Sequence, residues 1–252
     1  MAGRAKSKPK ATKKSKAKGD KRRFRPVAFL WRWTRRALLA AVVLGALAVV
    51  AYAILPPPTT PYILSEAKRL DGVDRTWAPA DEIAPVMFRA AVAAEDANFC
   101  NHWGFDMVAI RAALDDGAQR GASTISQQVV KNAYLWHGRA WSRKALEAVL
   151  TPAVEAVWSK RRILEVYLNI AEFDEGVFGV EAAAVHYFGV SSGDLTARQA
   201  SLLAAVLPDP KGRSAAQPSD FVSRRATSIA DGAATIQKDG RADCFEMDAA
   251  ES

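Results

Sequence analysis

Three short stretches carry side chains of the kind that do chemistry. The first is AAEDANFCNHWGFD, residues 93–106, in which an alanine-rich run ends in two adjacent carboxylates, Glu95 and Asp96, with Phe99, His102 and Gly104 close behind. Charged pairs at helix ends are ordinarily solvated surface. Here they directly follow the apolar AAVAA, and a carboxylate held in an apolar cleft near a helix carboxyl end gains proton affinity, which suits a general acid or base. The second stretch is GASTISQQVVKN, residues 121–132. Ser123 or Thr124 can cap the helix that follows, and Gln127 completes a box with Thr124. Free N–H groups at that helix start form an anion site, with Gln128 and Lys131 on one face a turn further on. Alone, this would read as a capped surface helix. The third opens the helix SRKALEAVL, where Arg143 and Glu147 lie four apart on one face and Ala145, Leu146, Val149 and Leu150 are expected to pack inward. Alone, it would be an ordinary surface ion pair. Taken together, two carboxylates and a cationic phosphate-binding set describe sugar transfer from a diphosphate donor.

Helices must position these groups. Ile83, Val86, Met87, Ala90, Ala91 and Ala94 fall at helical spacing around Pro85, and apolar residues recur at intervals of three and four over 142–158, 159–169, 179–189 and 195–207. Thr196 and Gln199 form a second capping box. Strand alternation is almost absent, so the body is mainly α. After Pro210 the chain turns polar and small, and residues 235–252 read as a loosely held tail.

The front of the chain is different. Residues 1–36 hold fifteen Lys and Arg against the single acid Asp20, so the formal charge of +8 belongs to a basic tail on a mildly acidic body. Such a tail is too polar to fold and is expected to be disordered. Residues 37–55 then run for nineteen positions without a charge. As a helix they would extend about 28 Å, close to the hydrocarbon thickness of a bilayer. The basic flank with Trp31, Trp33, Arg35 and Arg36 places the tail in the cytoplasm and the body outside it, with membrane lipid rather than nucleic acid as the tail's partner. Ala51-Tyr52-Ala53 resembles a signal-peptidase site, but the long charged region ahead of it favours an uncleaved anchor. The expected organisation is a cytoplasmic tail (1–36), a transmembrane helix (37–55), a proline-rich stalk (56–69), a catalytic domain (70–215) and a C-terminal extension (216–252). Cys100 and Cys244 face the oxidising side, yet a body of this size needs no staple, and no structural disulfide is expected.

EDANFCNHWG, GASTISQQVVKN and RKALEAVLTPAVEAVWSKRRILEVYLN closely resemble, in order and spacing, the successive motifs of the glycosyltransferase family 51 peptidoglycan polymerases, and NIAEFDEGVFGVEAAAVHYFG extends the likeness toward the monofunctional biosynthetic members. The resemblance covers roughly residues 70–215. It implies a lysozyme-like, mainly helical glycosyltransferase domain with a small apolar lobe that dips into the membrane. It also implies polymerisation of lipid II onto a growing glycan chain, with release of undecaprenyl diphosphate.

Carried over by motif, Glu95 is the general base on the acceptor hydroxyl. Glu147 assists departure of the diphosphate, directly or through a divalent cation, Mg or Mn; no organic cofactor is implied. Thr124, Gln127, Gln128, Lys131, Arg139 and Arg143 hold phosphates and sugars, while Asp96, Phe99, His102 and Gly104 shape the acceptor side. No second His or Cys has ligand spacing to His102, which favours a structural hydrogen bond there. The implied location is the bacterial inner membrane with the catalytic domain in the periplasm, where cell-wall or division complex proteins are further partners. Larger relatives add a transpeptidase domain; Ser65-Glu66-Ala67-Lys68 matches its first motif by chance, and no KTG follows. Two rivals remain, a lytic lysozyme-like enzyme and a non-catalytic assembly scaffold. The first needs no phosphate-binding helix, and the second would lose its acids.

Overall fold

The computed structural model describes residues 26–117, 121, 123–138 and 140–246. Arg139 and most of the basic tail lie outside the described residues. The chain forms two units, one ending at Gly45 and one from Ala46 onward. In the first, helix α1 (Pro26–Tyr52) exposes Leu38, Leu39, Val42 and Leu44. Within α1, the 24 residues Phe29–Tyr52 are long and apolar enough to cross a membrane.

The second unit opens with Pro56–Thr60 and then α2 (Pro61–Leu70), which has Pro61 in its first turn and the Thr60 side chain accepting from the Ile63 amide. A free stalk over 56–69 is therefore corrected. Proline fits a first helical turn, Ile63 is buried, and the Arg75 guanidinium donates to the carbonyls of Pro57 and Pro58. After strand β1 (Asp74–Arg75) come α3 (Pro85–Glu95), a 3-10 turn (Phe99–Asn101), α4 (Met107–Asp115), α5 (Ile125–Tyr134), α6 (Trp141–Val157) and α7 (Lys160–Ile170). Strands β2 (Glu172–Asp174) and β3 (Val177–Phe178), then α8 (Val180–Phe188), α9 (Ala197–Val206), α10 (Asp220–Lys238) and α11 (Asp243–Glu246), complete the element order. The small sheet runs β1-β3-β2, parallel then antiparallel, with Asp74 opposite Val177. The expectation of a mainly α body thus holds.

The core sits where α3, α9 and α10 pack against one another. Met87, Ala90, Ala91 and Val92 of α3 are fully buried, and the alanines allow close helix approach; at Gly232 of α10 an added Cβ would lie 3.2 Å from the Ala93 Cβ. Both capping boxes form as expected, at Thr124–Gln127 and Thr196–Gln199.

Two expectations fail at the C-terminus. Helix α10 runs on to Lys238 because Val222, Ala226, Ile229, Ala233 and Ile236 keep helical spacing through small residues, and Phe245 of α11 is fully buried, so the stretch from 235 to 246 is packed rather than loose. Cys100 and Cys244 are joined by a disulfide across 144 residues of chain. The expectation of no structural bridge considered only whether the core was large enough, whereas the bridge ties the C-terminal clasp to the loop after α3. Arg89 pairs with Glu246 at 2.5 Å, and Arg241 donates to the Ala97 carbonyl at 3.1 Å, at the same junction.

Candidate active site

Glu95 and Asp96, adjacent in sequence, are given separate tasks. Asp96 is buried; one carboxylate oxygen accepts from the Ile125 amide at 3.0 Å and the other meets the His102 Nε2 at 2.8 Å. The anion at the N-terminus of α5 is therefore the chain's own Asp96, where the free N–H groups had suggested an external phosphate. The Gln127 amide is likewise taken by the Thr124 hydroxyl, and the Thr124 amide by the Gln127 side chain.

Beneath this junction lies a buried frame. The Thr124 hydroxyl donates to the Gly104 carbonyl at 2.7 Å. Gly104 has φ +82°, and a Cβ there would meet the Thr151 Cγ2 at 2.5 Å, so both conformation and space demand glycine. The Ser126 hydroxyl donates to Glu155, which is paired with Lys160 at 2.9 Å; the same ammonium donates to the His102 carbonyl and lies 4.3 Å over the fully buried Phe99 ring. Asp96, Phe99, His102, Gly104, Thr124 and Gln127 are thus brought together as a scaffold. Glu155 and Lys160 belong to it too, and only their place in the AVEAVWSK run hinted at them.

Glu95 points away from that frame. Its side chain is 14 % exposed; one oxygen accepts from the Gln128 amide at 3.1 Å and the other lies 3.6 Å from the Arg225 guanidinium. Burial pushes its carboxyl above the ordinary value, opposed by the Gln128 hydrogen bond and by the charges of Arg225 and Lys131. A carboxylate whose proton affinity is raised in this way suits a general base.

Across from it, Glu147 is buried on α6 and paired with Arg143 at 3.0 Å and with Lys144. Lys144 was missed in the sequence, although it stands three residues before Glu147. The face of α6 is the reverse of that expected: Glu147, Thr151, Val154 and Glu155 are buried, while Ala145, Leu146 and Val149 are exposed and Leu150 is only half-buried. Spacing marks a stripe but not which side has neighbours. Lys131 links the two carboxylates, since it feels the charge of both Glu95 and Glu147. Burial pulls its ammonium below the ordinary value, as do Arg143 and Lys144. Three cations crowded around one carboxylate leave an excess of positive charge that an anion would relieve. A cavity of about 210 Å³ opens beside this set, lined by Gln128, Lys131 and Asn132, by Glu172 and, from outside the sequence motifs, by Tyr62 and His137. Tyr62 donates to Glu172 at 2.5 Å, and Lys211 lies 3.5 Å from that acid.

A buried carboxylate of raised proton affinity beside a cationic wall suits group transfer with an anionic leaving group. Comparison with known proteins agrees. The sequence matches the transglycosylase family over residues 63–234. It is 62 % identical over 236 residues to a biosynthetic peptidoglycan transglycosylase of Jannaschia sp. (strain CCS1), covering 94 % of this chain and 98 % of that one. It is 43 % identical over 224 residues to a protein of the same name from Caulobacter vibrioides (86 % and 98 %), and 51 % identical over 209 residues to one from Pseudomonas fluorescens Pf-5 (79 % and 87 %). The chain belongs to the transglycosylase family, whose glycosyltransferase domain is lysozyme-like.

Proposed function

We propose that this peptidoglycan glycosyltransferase polymerises lipid II with Glu95 as its base and the Lys131–Arg143–Lys144 set as the seat of the leaving diphosphate. Glu95 takes the proton of the acceptor 4-hydroxyl as that oxygen bonds to the anomeric carbon of the donor. The bond from that carbon to the diphosphate breaks, and the diphosphate leaves with the electron pair toward the three cations. Gln128 keeps the Glu95 carboxylate aimed, and Asp96 and His102 hold the end of α3 against the start of α5. The observation that carries this reading is that Gln128, which holds Glu95, and Lys131 line one cavity, so base and cations address one cleft.

The family is known to need a divalent cation. Among the described residues no three His, Cys, Asp or Glu converge, and the Glu147 oxygens face Arg143 and Lys144. These residues do not fit a protein-borne cation site, and no step here runs through one. Arg139 remains part of the proposed phosphate-binding set by motif alone.

The anchor reading rests on α1, and cleavage after Ala53 would discard contacts the body uses: the Trp158 indole donates to the Val49 carbonyl at 2.7 Å, and Arg162 donates to the Tyr52 carbonyl at 3.0 Å. The Cys100–Cys244 bridge favours an oxidising compartment for the body, as expected for the periplasmic face of an inner membrane. Exposed Trp141, Val149, Val108 and Leu114 suit the apolar lobe that the family rests on lipid. The growing glycan chain and the cell-wall or division complex proteins complete the proposed partners.

Full-length protein in lipid, given labelled lipid II, is expected to yield glycan strands and undecaprenyl diphosphate. Cleavage of finished strands with no polymer from lipid II would replace this reading with a lytic one.

A further inference from the structure

Helix α10 contains no part of the motifs that define the site, yet it reaches the reacting carboxylate. Its Arg225 guanidinium donates to the carbonyl of Ala94 at 3.3 Å, 131 residues away in sequence, and stands 3.6 Å from the neighbouring Glu95 carboxylate. The Arg225 side chain is 31 % exposed, so it lies at the mouth of the cleft, while its Nε is buried without a partner. Nothing about Arg225 serves the core, because the inward stripe of α10 is Val222, Ala226, Ile229, Ala233 and Ile236. Its direction is fixed by packing: α10 lies along α3 with Gly232 against Ala93.

We infer that Arg225 is a positioning residue for Glu95, clamping the carboxyl end of α3 through Ala94 and holding the Glu95 carboxylate charged and turned toward the acceptor hydroxyl. This rests on Glu95 being the base of the proposed reaction. The charged or titratable groups facing Glu95 are Asp96 beside it, Lys131 on α5, Tyr167 on α7 and Arg225 on α10. Asp96 opposes the charged form of Glu95, and Tyr167 is buried and holds its proton, its own pKa pushed up first by burial and then by the two acids. Lys131 faces two carboxylates and is the cation closest in role to the diphosphate. That leaves Arg225 as the cation whose only carboxylate partner among the described residues is Glu95.

The test is the pH profile of lipid II polymerisation by wild type, Arg225→Lys and Arg225→Gln. The base must be deprotonated, so activity falls as pH drops through the value for Glu95. Removing a nearby cation raises that value, and the acid limb should move up by about one pH unit in Arg225→Gln and partway in Arg225→Lys. A second readout needs no turnover: the pH at which the melting advantage of Glu95→Gln over its Glu95 parent levels off should rise by the same amount in the Arg225→Gln background, and the advantage beyond that pH should grow. If Arg225→Gln does not fold, the smaller shift in Arg225→Lys carries both measurements. An acid limb and a levelling-off pH left in place, with activity lower by one factor at every pH, would overturn the inference while leaving polymerisation by Glu95 intact. Absence of polymerisation in wild type would instead overturn the functional reading itself.

Discussion

Around Glu95 almost every side chain is occupied by the protein, whereas around Glu147 many are left facing outward. Helix α3 is buried against both α9 and α10, and the loop that follows it is held by Asp96, His102, the Cys100–Cys244 bridge and Arg241. Helix α4 has no buried residue, and α6 exposes Trp141 at 92 % and Val149 at 71 % while turning an acid inward. The difference suits the two proposed jobs. A base must be held within a fraction of an ångström of the proton it takes. A seat for a lipid-linked diphosphate must stay open, positively charged and compatible with a bilayer surface.

If that division is right, the largest single loss comes from the closed side. Glu95→Gln should slow polymerisation by roughly 100- to 10,000-fold, the usual effect of removing one acid–base group. It should also raise stability at neutral pH. Burial lifts the carboxyl above its ordinary value, so Glu95 favours the folded state only while protonated and opposes it as pH rises through that raised value. The melting temperature of Glu95→Gln is expected to exceed wild type at neutral pH and to converge with it on acidification toward the ordinary carboxylate range. A variant that melted below wild type at neutral pH would contradict the burial argument.

Removing the bridge tests how much the clasp matters. Cys100→Ser with Cys244→Ser should lower stability by about 2–4 kcal/mol, because the bridge closes a long loop in the unfolded chain. Thermal melts with and without reductant measure this, and equal melts would leave the clasp without a stabilising role.

The open side should respond through affinity. Lys131→Ala or Arg143→Ala should weaken donor capture by about ten- to a hundredfold, the worth of one charge-assisted hydrogen bond. Binding of moenomycin, the phosphoglycolipid that inhibits this family, reports it directly, and unchanged binding in both variants would remove the cations from the donor site. The smallest effect is expected at the rim. Trp141→Ser should reduce binding of the body, with residues 1–45 removed, to anionic lipid vesicles by only a few-fold, since one exposed indole is worth a small part of an apolar surface.

Much of the closed side was legible in the sequence. Apolar spacing located α3 and α9, the Thr124 cap marked the start of α5, and both capping boxes were readable because their partners sit three residues apart. The acids Glu95 and Glu147 stood out by their surroundings. What escaped depends on contacts between distant residues. Periodicity on α6 could not tell which face had neighbours, so its apolar residues were expected inside and Glu147 outside. Alanines and glycines in α10 diluted a real stripe, and α2 was hidden behind a run of prolines. The Cys100–Cys244 bridge and the reach of Arg225 to Glu95 join positions more than a hundred residues apart, a proximity that no local pattern encodes.

The division of labour is tested most directly by measuring polymerisation rate against lipid II concentration for Glu95→Gln and Arg143→Ala side by side. The Glu95→Gln defect should persist undiminished at saturating lipid II, because it lies in the chemical step, whereas the Arg143→Ala defect should shrink as lipid II rises. Two defects that respond to concentration in the same way would contradict the assignment of base and donor seat to opposite sides of the cleft.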